Sequence, residues 1–336
     1  METDNSFGFA RAMMVVSQFE EIARLAEGIC DIIPLKGIAL LTTLYKDNYD
    51  REVGDIDILV APTSQCRVFI ERMKAHGYRM QFDYLTDDGA LTAKSKIALC
   101  HESNLATDVD IHLAFVTKKF FSKYCGAFNA DALARCTKMK GNIMVMDVAD
   151  QWLFLAQHAC FHIFSDPKWL RDLHLLIEGM NDQQIATLHE RARHYGFQRV
   201  CAAASFAVRY YFPNIGSPML NGSFSGCMKR LTAFAIRNHR SWIVKKIVKP
   251  FWELLFIARP ADRIHAHLSM ICPNLPLLKS IYRRKSAIVA LLYPLHFIIT
   301  IAGMLLFYLL YVLVSIFFRN FVAEETHVSN RKISTR

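Results

Sequence analysis

The sequence predicts an α+β fold: a small mixed β-sheet core with flanking helices, followed by a mainly helical domain and a C-terminal transmembrane segment. Three observations predict it. Short apolar and alternating runs, the pattern of strands, are confined to the first part of the chain. From about Val148 onward apolar positions recur at helical spacing instead. No charged residue occurs between Ser286 and Phe318. At 336 residues there is room for two globular units and an appendage. The expected boundaries are 1–120 for the sheet domain, 121–282 for the helical domain, 283–320 for the apolar segment and 321–336 for a polar tail.

From Phe9 to Glu27, apolar residues Met13, Val16, Phe19, Ile22, Ala23 and Ala26 mark a helix, and Gly28 suits its end. Ile32-Ile33-Pro34-Leu35 reads as a short strand, Lys36-Gly37 as a tight turn, and Ile38 to Tyr45 as a helix. After a polar loop comes Asp55-Ile56-Asp57-Ile58-Leu59-Val60, a strand stopped by Ala61-Pro62. Thr63 or Ser64 can cap a helix running to His76, before Gly77. Arg79 to Leu85 and Lys96 to His101 read as further strands. Asp108-Val109-Asp110-Ile111-His112-Leu113 alternates polar and apolar residues, the mark of a strand with one buried face. Helices follow at Asp150 to Phe164, Lys168 to Met180, Asp182 to Tyr195 and Arg199 to Tyr211. Phe212-Pro213-Asn214 and Gly216-Ser217-Pro218 read as turns.

The net charge of +10 suits nucleic acid, anionic lipid or a polyphosphate ligand. No block of five basic residues and no aromatic-basic RNA platform occurs, so nucleic acid is disfavoured. The basic residues thicken at Lys245-Lys246, Lys249, Arg259, Arg263 and Arg283-Arg284-Lys285, which favours a membrane surface. Nine cysteines, Cys30, Cys66, Cys100, Cys125, Cys136, Cys160, Cys201, Cys227 and Cys272, stand singly without a C-x-x-C pair. This excludes a zinc ribbon or thioredoxin motif and reads as a reducing compartment. Met1-Glu2-Thr3-Asp4 opens no secretory signal, so the globular part is expected in the cytosol.

Asp55 and Asp57, two apart on a strand, project from one face; Asp108, Asp110 and His112 share a face of the later strand. If the strands are neighbours, the acids converge and need a cation between them. Carboxylate-rich sites select Mg²⁺ or Mn²⁺, and such ions can activate a hydroxyl and neutralise a triphosphate. The alternative is that each D-x-D merely faces solvent.

At these residues the chain resembles the nucleotidyltransferase superfamily with the polymerase-β-type fold, and more narrowly its uncharacterised bacterial branch with an L-K-G signature. The matching residues are Leu35-Lys36-Gly37, Arg51, Gly54-Asp55-Ile56-Asp57-Ile58-Leu59-Val60, Gly77-Tyr78 and Asp110-Ile111-His112. The similarity continues around His158, His162 and Arg171-Asp172-Leu173. The resemblance implies transfer of a nucleoside monophosphate from an NTP to an acceptor hydroxyl, with Mg²⁺ or Mn²⁺ as cofactor. Asp55 and Asp57 match the metal-binding pair. Asp110 matches the third carboxylate, a metal ligand and the general base. Gly37 matches the glycine that lets the backbone approach the phosphates. The superfamily usually has Gly-Ser where this chain has Lys36-Gly37, so a phosphate-binding hydroxyl is missing and Lys36 stands in as a point charge.

Arg51 reads equally as a triphosphate contact or a structural partner of Asp55 and Asp57. His112 reads either as orienting a carboxylate or the acceptor, or as a buried, hydrogen-bonded histidine, and Asp108 as an accessory acid. His158 and His162 lie four apart on one helical face but lack the glutamate of H-E-x-x-H, which favours packing or cleft lining over zinc. Lys168, Arg171 and Asp172 read as a solvated polar face.

A span needs about 20 apolar residues, so 286–318 suffices for one tilted crossing or a short hairpin broken near Pro294. Arg283-Arg284-Lys285 outweighs Arg319, so the N-terminal side is expected in the cytoplasm, and the resemblance to a bacterial branch implies the bacterial inner membrane. Trp242 to Ile257 reads either as an interfacial segment or as the last helices of the globular domain. Two functions follow: an active transferase whose unknown acceptor is a saccharide, lipid-linked glycan, protein side chain or small molecule, with membrane attachment favouring surface-polysaccharide or lipid-linked metabolism, or a catalytically inactive nucleotide-binding scaffold at the membrane.

Overall fold

The computed structural model describes residues 5–45, 50–81, 96–103, 106–116, 124–213, 226–257, 264, 267–268, 271 and 286–317. The chain divides into two compact units, the first made of Met1–Thr117 with Cys125–Phe154, the second of Lys118–Tyr124 with Leu155–Arg336.

In the first unit, helix α1 (Asn5–Ala26) leads to β1 (Asp31–Pro34), α2 (Lys36–Thr42), β2 (Asp55–Ala61) and α3 (Cys66–Lys74). Strands β3 (Tyr78–Met80), β4 (Lys96–His101) and β5 (Asp108–His112) follow, then α4 (Tyr124–Ala134), β6 (Thr137–Lys140), β7 (Ile143–Val145) and the start of α5 (Val148–Phe161). The seven strands form one mixed sheet in the order β3-β4-β5-β2-β1-β7-β6. β2 runs parallel to β5, and β1 parallel to β7; the other neighbours are antiparallel.

Alternation along the central strands determines what the sheet presents. Ile56, Ile58, Val109 and Ile111 are fully buried, as are Phe69 and Met73 of α3 and Ile22 of α1. Polar side chains fasten the helices. Gln18 of α1 bonds the Thr107 backbone in both directions, at 2.8 Å each, immediately before β5. Arg72 of α3 donates to Leu25 O and Glu27 O, carbonyls that the end of α1 leaves without helical donors. Arg135 grips the fully buried Asp150 through two bonds, 2.7 and 3.1 Å, a bidentate geometry that offsets the desolvation of the acid.

Three features differ from expectation. The sheet continues past residue 120, where the first domain was expected to end, because β7 adds beside β1 and β6 closes the edge. β6 is exposed along its length and β7 has three residues, so neither carries a buried alternation to read. α2 begins at Lys36, two residues before the expected Ile38. The strand expected over Arg79–Leu85 is Tyr78–Met80, and positions 82–85 lie outside the described residues.

The second unit is helical: the rest of α5, α6 (Pro167–Glu178), α7 (Asp182–His194), α8 (Gln198–Tyr211) and α9 (Gly226–Arg237). A π-helical turn, Val244–Val248, continues into a single α-turn, Lys249–Trp252. Helix starts follow local rules. Asp166 caps α6, with Pro167 at the first position, and Asn181 with Gln184 forms a capping box on α7. The turn expected at 216–218 lies outside the described residues. The last helix, α10 (Ser286–Phe317), runs unbroken through Pro294. Its segment Pro294–Val314 is long and apolar enough to cross a membrane.

Candidate functional site

The parallel pairing of β2 with β5 aligns Asp55 with Asp108, Asp57 with Asp110 and Leu59 with His112. Alternate residues of a strand share a face, so this register gathers four acids and a histidine on one side of two adjacent strands. Depth separates them. Asp57, Asp110 and His112 are 2%, 6% and 9% exposed, whereas Asp55 and Asp108 are exposed.

Lys36 reaches this cluster because the β1–β2 ladder runs one step beyond β1. Leu35 N–H donates to Asp57 O at 2.9 Å. The chain then turns at Lys36, whose φ of 50° lies in the left-handed region that is uncommon for a side chain other than glycine. α2 begins there, and Lys36 Nζ donates to Asp57 Oδ1 at 2.5 Å. His112 Nε2 meets the same oxygen at 2.7 Å. A Cβ on Gly37 would lie 2.9 Å from Val53 Cγ2, so the close packing of Val53 requires glycine at this position.

Lys96 and Gln81 complete the site, and sequence reasoning did not single out either. On β4, Lys96 is opposite His112 and Ala98 is opposite Asp110. Lys96 Nζ donates to Asp110 Oδ2 across the small Ala98. Gln81 Nε2 donates to Asp108 Oδ2 at 2.7 Å. The signal for Lys96 was its place at the head of an expected strand; the missing knowledge was that this strand lies beside β5. Arg51 is buried and donates through Nη1 to Glu52 O.

Electrostatics divide the acids. Burial pushes the Asp57 carboxyl up, but the His112 hydrogen bond and the Lys36 charge outweigh it and hold the group at about 2. The Asp55 carboxyl is raised, by lost hydration and then by the negative charge of Asp57. Burial alone would lower Lys96; its hydrogen bond and ion pair with Asp110, helped by Asp57 and Asp55, raise it instead. Asp57 and Lys96 are therefore charged at neutral pH.

Asp57, Asp110 and His112 offer donor atoms that all lie within 4.8 Å of one another. Two carboxylates and an imidazole fit a divalent ion at the hard-to-borderline end, such as Mg²⁺ or Mn²⁺. This trio is the one group of three such donors among the described residues. Asp55 stands outside it, at the exposed start of β2.

The other candidates lie in the second unit. The rings of His158 and His162 are 4.7 Å apart, and each lies about 5 Å from Trp169, at 5.1 and 5.0 Å. This is an aromatic cluster joining α5 to α6. Asp172, expected on a solvated face, is fully buried; on amphipathic α6 it falls on the inward side with Leu173 and Leu176. Lys168 pairs with Asp166 at 3.2 Å.

No curated protein matches the chain. The sequence model of the family described as uncharacterised nucleotidyltransferase matches residues 8–213. That stretch runs from α1 through the whole sheet to the end of α8, and it includes every residue of the acidic cluster. The chain therefore belongs to the uncharacterised nucleotidyltransferase family.

Proposed function

We propose that this protein transfers a nucleoside monophosphate from an NTP to an acceptor hydroxyl, using Mg²⁺ or Mn²⁺, at the cytoplasmic face of a membrane. The observation that carries this reading is the alignment of Asp57 with Asp110 on parallel strands, with Lys36 on the Asp57 carboxylate. The acceptor oxygen bonds to the α-phosphorus while the α–β bridging P–O bond breaks, and the electron pair leaves with pyrophosphate. Asp110 takes the acceptor's proton. Asp57, Asp110 and His112 would hold the divalent ion, with Asp55 beside them at the solvent edge. A bound ion supplies Lewis-acid stabilisation of the charge that develops on phosphate oxygens. Lys36 and Arg51 are the cationic contacts for the triphosphate. Lys36 lies on a strained turn, a form of strain that persists where the surrounding structure enforces it.

Membrane attachment rests on α10, whose residues Leu295, Ile298, Ile299, Leu305, Leu309 and Ile316 are more than half exposed without a charge among them. Attachment favours an acceptor from surface-polysaccharide or lipid-linked metabolism. Full-length protein in detergent, given α-labelled ATP, CTP, GTP or UTP with Mg²⁺ or Mn²⁺ and a membrane extract as acceptor, tests the reading. Label should pass to the acceptor, and Asp57→Asn and Asp110→Asn should each lower transfer by about a hundredfold or more. Unchanged transfer in both variants would sink it.

A second reading has its own support. Each buried carboxylate of the cluster is already matched by a lysine, Asp57 by Lys36 and Asp110 by Lys96, which suits a nucleotide-binding scaffold without turnover. In that case the same protein binds an NTP and releases no pyrophosphate under any of these conditions.

A further inference from the structure

Between Glu190 and Glu253 the chain has no acidic residue, while Arg237, Arg240, Lys245 and Lys249 are all exposed. A stretch of chain that carries charge of only one sign fits an anionic partner. The π-turn and α-turn at 244–252 show how part of this charge is displayed. Trp242, Lys245 and Lys249 follow one another along this segment at intervals of three and four residues, and all are exposed, Trp242 at 67%. Ile243 beside them is 41% exposed.

The apolar residues between and after them are locked down. Val244 and Val248 are fully buried, and Trp252 is fully buried with its Nε1 donating to Cys160 O at 2.7 Å. Phe251 packs against α10. Its ring centroid lies 5.6 Å from that of Phe307, and a Cβ on Gly303 would meet Phe251 Cζ at 2.9 Å. α10 in turn buries His296, Thr300, Met304, Phe307 and Val314. These fall on the seam of about 3.5 residues that a helix uses against a neighbour. Thr300 Oγ1 and His296 Nε2 share a 3.3 Å hydrogen bond within it, so its polar groups are satisfied away from the apolar outer face.

The stripe is therefore held beside the apolar helix with its aromatic and ammonium groups outward. Tryptophan favours the level of lipid headgroups, and lysine extends its ammonium to phosphate there while its stem stays in the apolar layer. A nucleic-acid surface accounts for the lysines but not for an exposed Trp242 and Ile243 at the start of a segment that packs against an apolar helix. We infer that Trp242, Lys245 and Lys249 form a binding stripe for anionic phospholipid headgroups, which sets the height of the helical unit on the membrane. This rests on the reading of α10 as a bilayer segment.

The experiment uses the full-length chain, wild type and Trp242→Phe, mixed with vesicles of phosphatidylcholine with or without phosphatidylglycerol. A parallel set contains phosphatidylcholine brominated near the headgroup end of the acyl chain. The emission that Trp242 contributes, read as the difference between the two proteins, should be quenched by the brominated lipid. Wild type should prefer phosphatidylglycerol over phosphatidylcholine, and Lys245→Gln with Lys249→Gln should lower that preference about fivefold per lysine. Lys245→Arg with Lys249→Arg should restore it, with circular dichroism confirming the fold of each variant. Unquenched Trp242 emission, or an unchanged lipid preference in the glutamine variant, overturns the stripe while vesicle binding by α10 persists. Failure of the wild type to float with any vesicle overturns the bilayer reading and the stripe together. Retention of labelled RNA that the glutamine variant loses, with Trp242 unquenched, reassigns the stripe to nucleic acid.

Discussion

Lys36 Nζ sits 2.5 Å from Asp57 Oδ1, joining two residues 21 positions apart in the chain. The contact follows from the antiparallel pairing of β1 with β2, which brings Pro34 opposite Ile58 and delivers the next turn onto the strand end that carries Asp57. Asp57 is almost fully buried, so removing its ammonium partner exposes the cost of a carboxylate away from water. Lys36→Met should lower the unfolding free energy by about 3 kcal/mol, measured by urea titration. Added Mn²⁺ should recover part of the loss by supplying a replacement cation. An unchanged midpoint would mean that the pair does not form in solution.

Asp57 and Asp55 should titrate in opposite directions. Asp57 is held at about 2, below the unfolded carboxylate value near 3.9. Its contribution to stability is therefore present above about pH 4 and disappears as pH falls through about 2. His112→Ala removes one of the groups that holds it down and should move acid unfolding to higher pH. Asp55 is raised, so its ionisation costs stability as pH climbs above about 4. Asp55→Asn should raise the melting temperature at pH 7 and leave it unchanged near pH 3, a pattern that a general packing change would not produce.

Gly37 and Val53 should behave as a coupled pair. Gly37→Ala forces a methyl against Val53 Cγ2 and should destabilise the fold by about 1–3 kcal/mol. Val53→Ala in the same chain should relieve most of that cost. A double-mutant cycle by thermal melting reads the coupling, and additive losses would remove the packing explanation for this glycine.

His112 should set the preference among divalent ions. An imidazole donor favours Mn²⁺ over Mg²⁺ more than a third carboxylate would. His112→Ala should weaken Mn²⁺ binding by about 10–100-fold and Mg²⁺ binding less, as followed by calorimetry on the full chain. Equal losses for both ions would assign His112 to positioning Asp57 instead of ligating the metal.

Particular elements show what a linear reading could reach. The strand over Asp55–Ala61 and the one over Asp108–His112 were legible from alternation, and so was the shared face of each acidic set. The four helices from α5 to α8 were legible within a few residues, because their apolar spacing and caps are local. β6 and β7 were not, since one is wholly exposed and the other very short. Lys96 and Gln81 were missed for a related reason: each reaches its acid from another part of the sheet domain, Lys96 across the β4–β5 pairing.

The sequence by itself determined which side chains face together, because a strand repeats every two residues and a helix every 3.6, whatever lies next to them. It determined the acidic faces of β2 and β5, the apolar run of α10 and the absence of acid between Glu190 and Glu253. Only the tertiary structure decided that β2 and β5 are neighbours in parallel register, that Lys36 turns back onto Asp57, and that Lys96 closes on Asp110. Those are contacts between distant segments. Their register follows from burying Ile56, Ile58, Val109 and Ile111 together in one core, since a slip of one residue would turn the acids into that core and the isoleucines out of it.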